Sequence, residues 1–246
     1  MNDGSPARPR GRIDVHSHLL PGVDDGCATA EDSIRCARAM VAAGYSQLFC
    51  TPHVWPGQLD TTTASIVPRV AALQLILDEH SVPLRLHPGG ELTLRVDLPT
   101  WPAERFVTYG MRDRFVLFDL WAERLPEFFE PCVKFLQSRG LTCILAHPER
   151  MRAVQDQPEL ADYFTSIGLQ LQGNLQCFSD PHHSHTRRVA EQFLKERRYF
   201  LLGSDLHNPV SLPARLRGLE NAIGLAGEAE IDRLTVQNPT TLLGPD

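Results

Sequence analysis

The stretch Ile13-Asp14-Val15-His16-Ser17-His18 is a short alternating strand that ends on two imidazoles. Residues two apart on an extended segment point the same way, so His16 and His18 present their rings to one side. Asp24 and Asp25 follow within a few residues, and spacing alone does not choose between them as a ligand. The same figure, an apolar run ending on a ligand-type side chain, recurs down the chain. Residues 47–51 lead to His53, 84–87 to Glu91, 115–119 end on Asp119, and 142–146 lead to His147. Residues 169–172 lead to Asn174, and 199–203 to Asp205 and His207.

Helical patterns fill the spaces between these runs. Residues 30–43 are opened by a Thr29 and Asp32 pair resembling a capping box and closed by Gly44. Residues 64–79 carry Val67, Val70, Leu73 and Leu77 at helical spacing, and 126–139 end at Gly140. Further helices are expected over 158–167, 186–198, 212–223 and 228–236, while 93–114 is irregular and takes no assignment. About seven β/α units with no linker between them imply a parallel sheet with helices outside it, closed as a barrel or open and doubly wound. In a parallel barrel the C-terminal strand ends converge on one mouth, where active sites are built. Seven consecutive strands each delivering a His, Asp, Glu or Asn to that end is the strongest functional signal in the chain.

The 246 residues (27.5 kDa) suit one large domain, read here as a loose tail over 1–11 and a single domain over 12–246. A net charge of −6 argues against a broad grip on nucleic acid. No apolar run approaches the roughly 18 residues of a membrane span; 70–77 is interrupted by Gln74 and stops at Asp78. Arg8, Arg10 and Arg12 are not followed by the apolar core of a signal peptide, so a cytoplasmic protein is expected. The six cysteines form no C-x-x-C pair and read as small buried apolar residues. None has an arginine six positions later, which excludes the phosphate loop of cysteine-dependent tyrosine phosphatases.

Imidazoles and carboxylates without thiolates suit Zn²⁺, Mn²⁺ or Fe²⁺. The set exceeds what one ion takes, so a multinuclear site follows, and paired ions favour phosphate ester chemistry. A lone His after a strand is more often a structural hydrogen-bonder than a ligand; the joint placement of His16, His18, His53, His147 and His207 reverses that weighting. Glu91, between Gly90 and Leu92 after an apolar strand, reads as a carboxylate bridging two ions, and Asp205 is similar. Asp14 reads as an orienting group. His80 and His87 read as surface or packing residues, and His182, His183 and His185 as a solvated loop.

Residues 13–26 (IDVHSHLLPGVDDG), Thr51-Pro52-His53, Gly89-Gly90-Glu91, Ala146-His147-Pro148-Glu149-Arg150 and Gly203-Ser204-Asp205-Leu206-His207-Asn208 resemble the polymerase and histidinol phosphatase (PHP) superfamily. Within it the chain is similar to the bacterial manganese-dependent protein-tyrosine phosphatases of capsular and exopolysaccharide synthesis, from Arg12 to Asn238-Pro239. The resemblance implies a distorted TIM-like (β/α)7 barrel of the PHP fold, holding up to three ions. It places His16, His18, Glu91 and Asp205 on the first, Glu91, Asp119 and His147 on the second, and Asp25, His53 and His207 on the third, which selects Asp25 over Asp24. Mn²⁺ is the implied cofactor, with Fe²⁺, Zn²⁺ or Mg²⁺ as other candidates. Arg150 is expected to bind substrate phosphate, and Arg150, Asp205 and His207 to form the catalytic group.

The resemblance further implies hydrolysis of phosphotyrosine by a metal-bridging hydroxide, on a membrane-associated tyrosine autokinase of polysaccharide export. The chain departs from the family in three places. Asp119 stands where Glu is usual, and Leu212 where an arginine follows the last histidine, with Arg215 the nearest substitute for a phosphate contact. The segment 174–185 also differs from a short glycine-containing loop. Competing readings are a PHP phosphatase for a small metabolite such as histidinol phosphate, a phosphodiesterase, an amidohydrolase barrel, and a barrel that binds kinase or metal without turnover.

Overall fold

Two strands break at the same level, one at Pro52 and its neighbour at Gly89-Gly90, and those breaks set the architecture. The structure is a computed structural model and describes residues 11–59 and 61–244, so all but Gly11 of the expected tail lies outside the described residues. Nine short strands are assigned: β1 (Arg12–Asp14), β2 (Tyr45–Cys50), β3 (His53–Val54), β4 (Arg85–Pro88), β5 (Glu91–Thr93), β6 (Phe115–Asp119), β7 (Thr142–Ala146), β8 (Gln170–Asn174) and β9 (Leu201–Gly203). They pair in parallel as β1-β2-β4 and as β3-β5-β6-β7-β8-β9. Since β3 continues β2 and β5 continues β4, the nine pieces make seven staves, the number read from the sequence. A parallel bridge between Ser17 and Leu206 joins the first stave to the last, with Asp205 N–H donating to the His16 carbonyl at 2.8 Å.

The breaks have local causes. Proline has no amide to give the ladder. At Gly90 a Cβ would lie 2.8 Å from Val107 Cβ and 2.9 Å from Val54 Cγ2, so only glycine lets this backbone pass.

Helices α1 (Ala30–Ala42), α2 (Thr63–Glu79), α3 (Phe129–Ser138), α4 (Arg152–Asp156), α5 (Leu160–Ser166), α6 (His185–Lys195) and α7 (Leu212–Ala226) lie between the staves, with α4 and α5 both after β7 and only 3-10 turns after β5. Thr29 caps α1 by accepting from Asp32 N–H, but the reciprocal contact runs from the Thr29 hydroxyl to the Asp32 carboxylate rather than to a backbone amide. In α2 the buried stripe is Ile66, Val70, Leu73 and Leu77; Val67, expected inside, is 43% exposed. The unassigned stretch 93–114 holds three single 3-10 turns. The segment expected as one helix over 228–236 is an α-turn, Glu228–Asp232, running into a π-turn, Arg233–Gln237.

Strand alternation divides the apolar residues into two bodies. Ile13, Val15, Phe49, Leu117, Ile144 and Leu201 fill the barrel, with Tyr109 and Leu242 beside them. Leu48, Cys50, Val116, Phe118, Cys143 and Leu145 point outward into the helix layer. All six cysteines are buried and free, as their composition suggested. On β6 the phase that puts Leu117 inside carries Asp119 to the mouth.

Candidate metal centre

Four of the strand-end imidazoles face Glu91, which is buried at the barrel mouth. Its Oε2 lies 3.0 Å from His53 Nδ1, 3.3 Å from His16 Nε2 and 3.5 Å from His18 Nε2, and its Oε1 3.1 Å from His147 Nε2. Asp205 Oδ1 faces His16, His18 and His207 at 3.5, 3.4 and 3.4 Å. Asp25 Oδ1 faces His53 Nε2 at 3.6 Å and His207 Nε2 at 3.5 Å. Three overlapping groups have donor atoms all within 4.8 Å of one another: His18, Asp25, His53 and His207; His16, His18 and Glu91; His53, Glu91 and Asp119. The nine expected ligand residues therefore meet in one place, with His18, His53 and Glu91 at the junctions between groups.

Backbone and neighbours hold these rings. His147 and Asp205 have left-handed φ values of 35° and 51°, a strained conformation for residues with a Cβ and one that gathers at functional sites. His16 Nδ1 meets Gln172 Oε1 at 2.8 Å, and His18 Nδ1 meets Asp24 Oδ2 at 2.6 Å. Asp24 also accepts from the amides of His53 (3.0 Å) and Gly26 (3.1 Å), so it orients two ligands while Asp25 faces the cage. A Cβ on Gly26 would sit 2.1 Å from the His18 carbonyl oxygen, which requires glycine there. Asp14 accepts from Ser204 N–H at 2.8 Å and from its hydroxyl, so its orienting role acts on the Asp205 turn rather than on an imidazole. Buried Glu149 accepts from Asn174 N–H at 2.6 Å, and Asn174 Nδ2 donates to Asp205 Oδ2 at 2.8 Å.

Gln172 and the orienting role of Asp24 escaped the sequence reading. Gln172 had one usable signal, its position two residues before Asn174 on the same strand face.

The donor set fits cations. Asp119 Oδ1 is buried without a hydrogen-bond partner, and His53 Nδ1 and Glu91 Oε2 lie 3.0 Å apart without hydrogen-bond geometry, an arrangement that costs free energy unless something else occupies those lone pairs. Burial opposes charge on His16, yet Glu91 and Asp205 outweigh it and lift that imidazole to about 9. Burial also opposes charge on His18, which Asp205 and Asp24 nonetheless raise well above its ordinary value. Glu91 is held well below the usual carboxylate range against burial, by His16, His147 and His53. Asp119 is pushed up to about 7 by burial and then by the Glu91 charge. Glu91, Asp205 and Asp24 thus draw protons onto His16 and His18, the response of a site that calls for positive charge.

A cleft of about 510 Å³ opens over the cage, lined among others by Trp121, Met151, Arg150 and His207. Arg150, with its side chain half exposed, donates from Nη1 to Asp205 Oδ2 at 2.8 Å. Arg215 is placed differently from the phosphate contact expected of it. It is 4% exposed and outside the cleft lining, donating to the carbonyls of Asp205 (2.7 Å) and Ser211 (3.1 Å). It braces the turn between Asp205 and α7. His80 caps α2 at the surface, His87 packs on β4 against Phe49, and His182, His183 and His185 are exposed.

A family profile described as capsular polysaccharide synthesis, CpsB/CapC, matches residues 12–244. The tyrosine-protein phosphatase YwqE of Bacillus subtilis is 26% identical over 196 residues, covering 80% of this chain and 77% of its own. Tyrosine-protein phosphatase CpsB of Streptococcus agalactiae is 24% identical over 241 residues, covering 94% and 98%. A crystal structure from work on YwqE of B. subtilis and CpsB of Streptococcus pneumoniae, described as unique metal-dependent tyrosine phosphatases, superposes with a TM-score of 0.85 at 24% identity over 95% of both chains.

Proposed function

Because the chain belongs to the capsular polysaccharide synthesis CpsB/CapC family, we propose that it is a metal-dependent phosphatase hydrolysing the phosphate ester of tyrosine side chains. The observation that carries this reading is the gathering of five imidazoles and the carboxylates of Asp25, Glu91, Asp119 and Asp205 at one barrel mouth, with Asp119 Oδ1 buried and unpartnered. His16, His18, Glu91 and Asp205 would hold one ion, Glu91, Asp119 and His147 a second, and Asp25, His53 and His207 a third. Manganese is the ion we assign, consistent with a nitrogen and oxygen donor set lacking sulfur. When bound, such ions supply Lewis-acid charge to phosphoryl oxygens and acidify water.

The protein's own groups do the rest. Arg150 reaches over the cleft from a half-exposed position and offers its remaining guanidinium N–H groups to a phosphoryl oxygen, neutralising charge as it builds. Asn174 shares Asp205 Oδ2 with Arg150, so that carboxylate stays oriented when Arg150 turns to substrate. His207 lines the cleft beside Asp25; its Nδ1 is held 2.8 Å from the Asp205 carbonyl and its Nε2 would go to a cation, so the proton for the leaving oxygen would come from water in the cleft. A phenolate with a pKa near 10 needs only modest help of that kind.

The partner we propose is a phosphotyrosine-bearing tyrosine autokinase of polysaccharide export, met in the cytoplasm. Among the described residues no helix is long and apolar enough to cross a membrane. The test is hydrolysis of a phosphotyrosine peptide by chelator-stripped protein before and after Mn²⁺ is restored, beside histidinol phosphate and a phosphodiester. Loss and recovery with the metal, abolished in His16→Ala and strongest on the peptide, is expected. Activity indifferent to chelation, or a preference for histidinol phosphate, overturns the proposal.

A further inference from the structure

Among the large apolar side chains exposed on the described surface, Trp121 is the one that lines the cleft; Val67, Leu75, Val96 and Val210 do not. It is 68% exposed directly after β6, and Leu120, Ala122 and Met151 line the cleft with it. Leaving an indole in water forgoes the burial an aromatic ring normally achieves, so its position asks for a partner.

Two contacts fix the ring. Its Nε1–H donates to Asp119 Oδ2, and it stands edge-on to the His53 imidazole at 6.4 Å and 70°. Half-buried Trp55 lies beside it with centroids 6.4 Å apart. A flat apolar face is thereby held next to a polar cage, and the two surfaces divide the work of recognition. The cage takes a phosphoryl group; the indole meets whatever is esterified to it.

On the reading of the cage as a phosphomonoesterase site, we propose that Trp121 is the specificity wall that selects aryl over aliphatic phosphate esters, by contact between its indole and the ring of the leaving group. An aliphatic phosphoserine arm offers no ring to that face. The Asp119 contact orients the wall and also takes up Oδ2, leaving Oδ1 free toward the cage.

The experiment compares the metal-loaded full chain with Trp121→Ala and Trp121→Phe on a phosphotyrosine peptide and its phosphoserine counterpart. Binding of phenylphosphonate by calorimetry and inhibition by inorganic phosphate are measured alongside. An aromatic contact of this kind is worth about tenfold. Trp121→Ala should therefore lose about tenfold in kcat/KM on phosphotyrosine, mostly through KM, with less than twofold change on phosphoserine. Its phenylphosphonate affinity should fall about tenfold while phosphate inhibition holds. Trp121→Phe keeps a ring without the N–H donor and should stay within about threefold of the parent on every measure. Equal losses on both peptides, or a Phe variant as impaired as the Ala variant, would show that the indole acts only through Asp119 and would overturn the proposal. A parent protein that cleaves neither peptide refutes the phosphatase reading instead, and the ratio of phenylphosphonate to phosphate affinity then decides the role of Trp121 without turnover.

Discussion

Arg150 Nη1 and Asn174 Nδ2 both donate to Oδ2 of Asp205 at 2.8 Å, while its other oxygen, Oδ1, faces the His16 and His18 rings at 3.5 and 3.4 Å. One carboxylate therefore splits its two edges between a guanidinium at the rim and the imidazoles inside. Asn174 keeps the outer edge satisfied, so the arginine can leave it.

This division sets the expectation for Arg150→Ala. Losing a charge-stabilising donor typically costs 10²–10³ in rate, and kcat/KM on phosphotyrosine peptide should fall by about that much. Inhibition by inorganic phosphate should weaken in parallel, and the melting temperature should barely move, because the side chain is half exposed. Arg150→Lys should recover only part of the loss, since an ammonium cannot reproduce the planar fork. An alanine variant with parental phosphate inhibition would remove Arg150 from substrate binding.

Asp24 touches the centre only through its neighbours. It fixes the His18 ring and receives the His53 amide. Residues that orient a ligand typically contribute 10–100-fold to metal affinity. Asp24→Asn should weaken Mn²⁺ binding by about that factor in calorimetric titration, with an unchanged circular dichroism spectrum. Unaltered affinity would assign Asp24 to the loop alone.

Metal should also stabilise the fold, because the strand ends carry facing carboxylates that only the folded chain brings together. Binding to the native state alone adds about 2.7 kcal/mol at a hundredfold excess over Kd, which for a chain this size is roughly 5–11 °C. The comparison is a melt of chelator-treated protein with and without added Mn²⁺. Coincident melts would deny a preformed metal centre.

His87 allows a pH test away from the cage. Burial, then the charges of Arg85 and Arg112, hold its imidazole down to about 4, against an ordinary value of 6.5. The unfolded chain thus takes up this proton more readily than the folded one between those values. The stability contributed by neutral His87 is complete above about pH 6.5 and is lost as pH falls toward 4. Melts in chelator should show His87→Gln losing less stability than the parent between pH 7 and 4.5. Parallel curves would contradict the shift.

Much of the centre was legible because strand ends are local features. An apolar run that stops at His16, Asp119 or His147 announces itself within five residues, and glycine and proline mark where each run ends. The interruption of the staves at Pro52 and Gly89-Gly90 was not legible as a pair of breaks, since pairing joins residues 30 to 40 positions apart. Arg215 shows the opposite failure. The resemblance offered it as the nearest substitute for a phosphate-binding arginine, but the side chain turns inward from α7, where the Asp205 carbonyl takes its guanidinium.

Residue chemistry and strand periodicity alone decided the alternation of layers, the seven staves and the imidazoles and carboxylates that are candidate ligands at the strand ends, since each depends on neighbours within a few positions. Tertiary structure alone decided that Asp24 fixes the His18 ring, that Gln172 holds His16, and that Trp121 stands over the cleft. Those facts follow from which strand ends come together when Ser17 meets Leu206, a contact between residues 189 positions apart that no local pattern encodes.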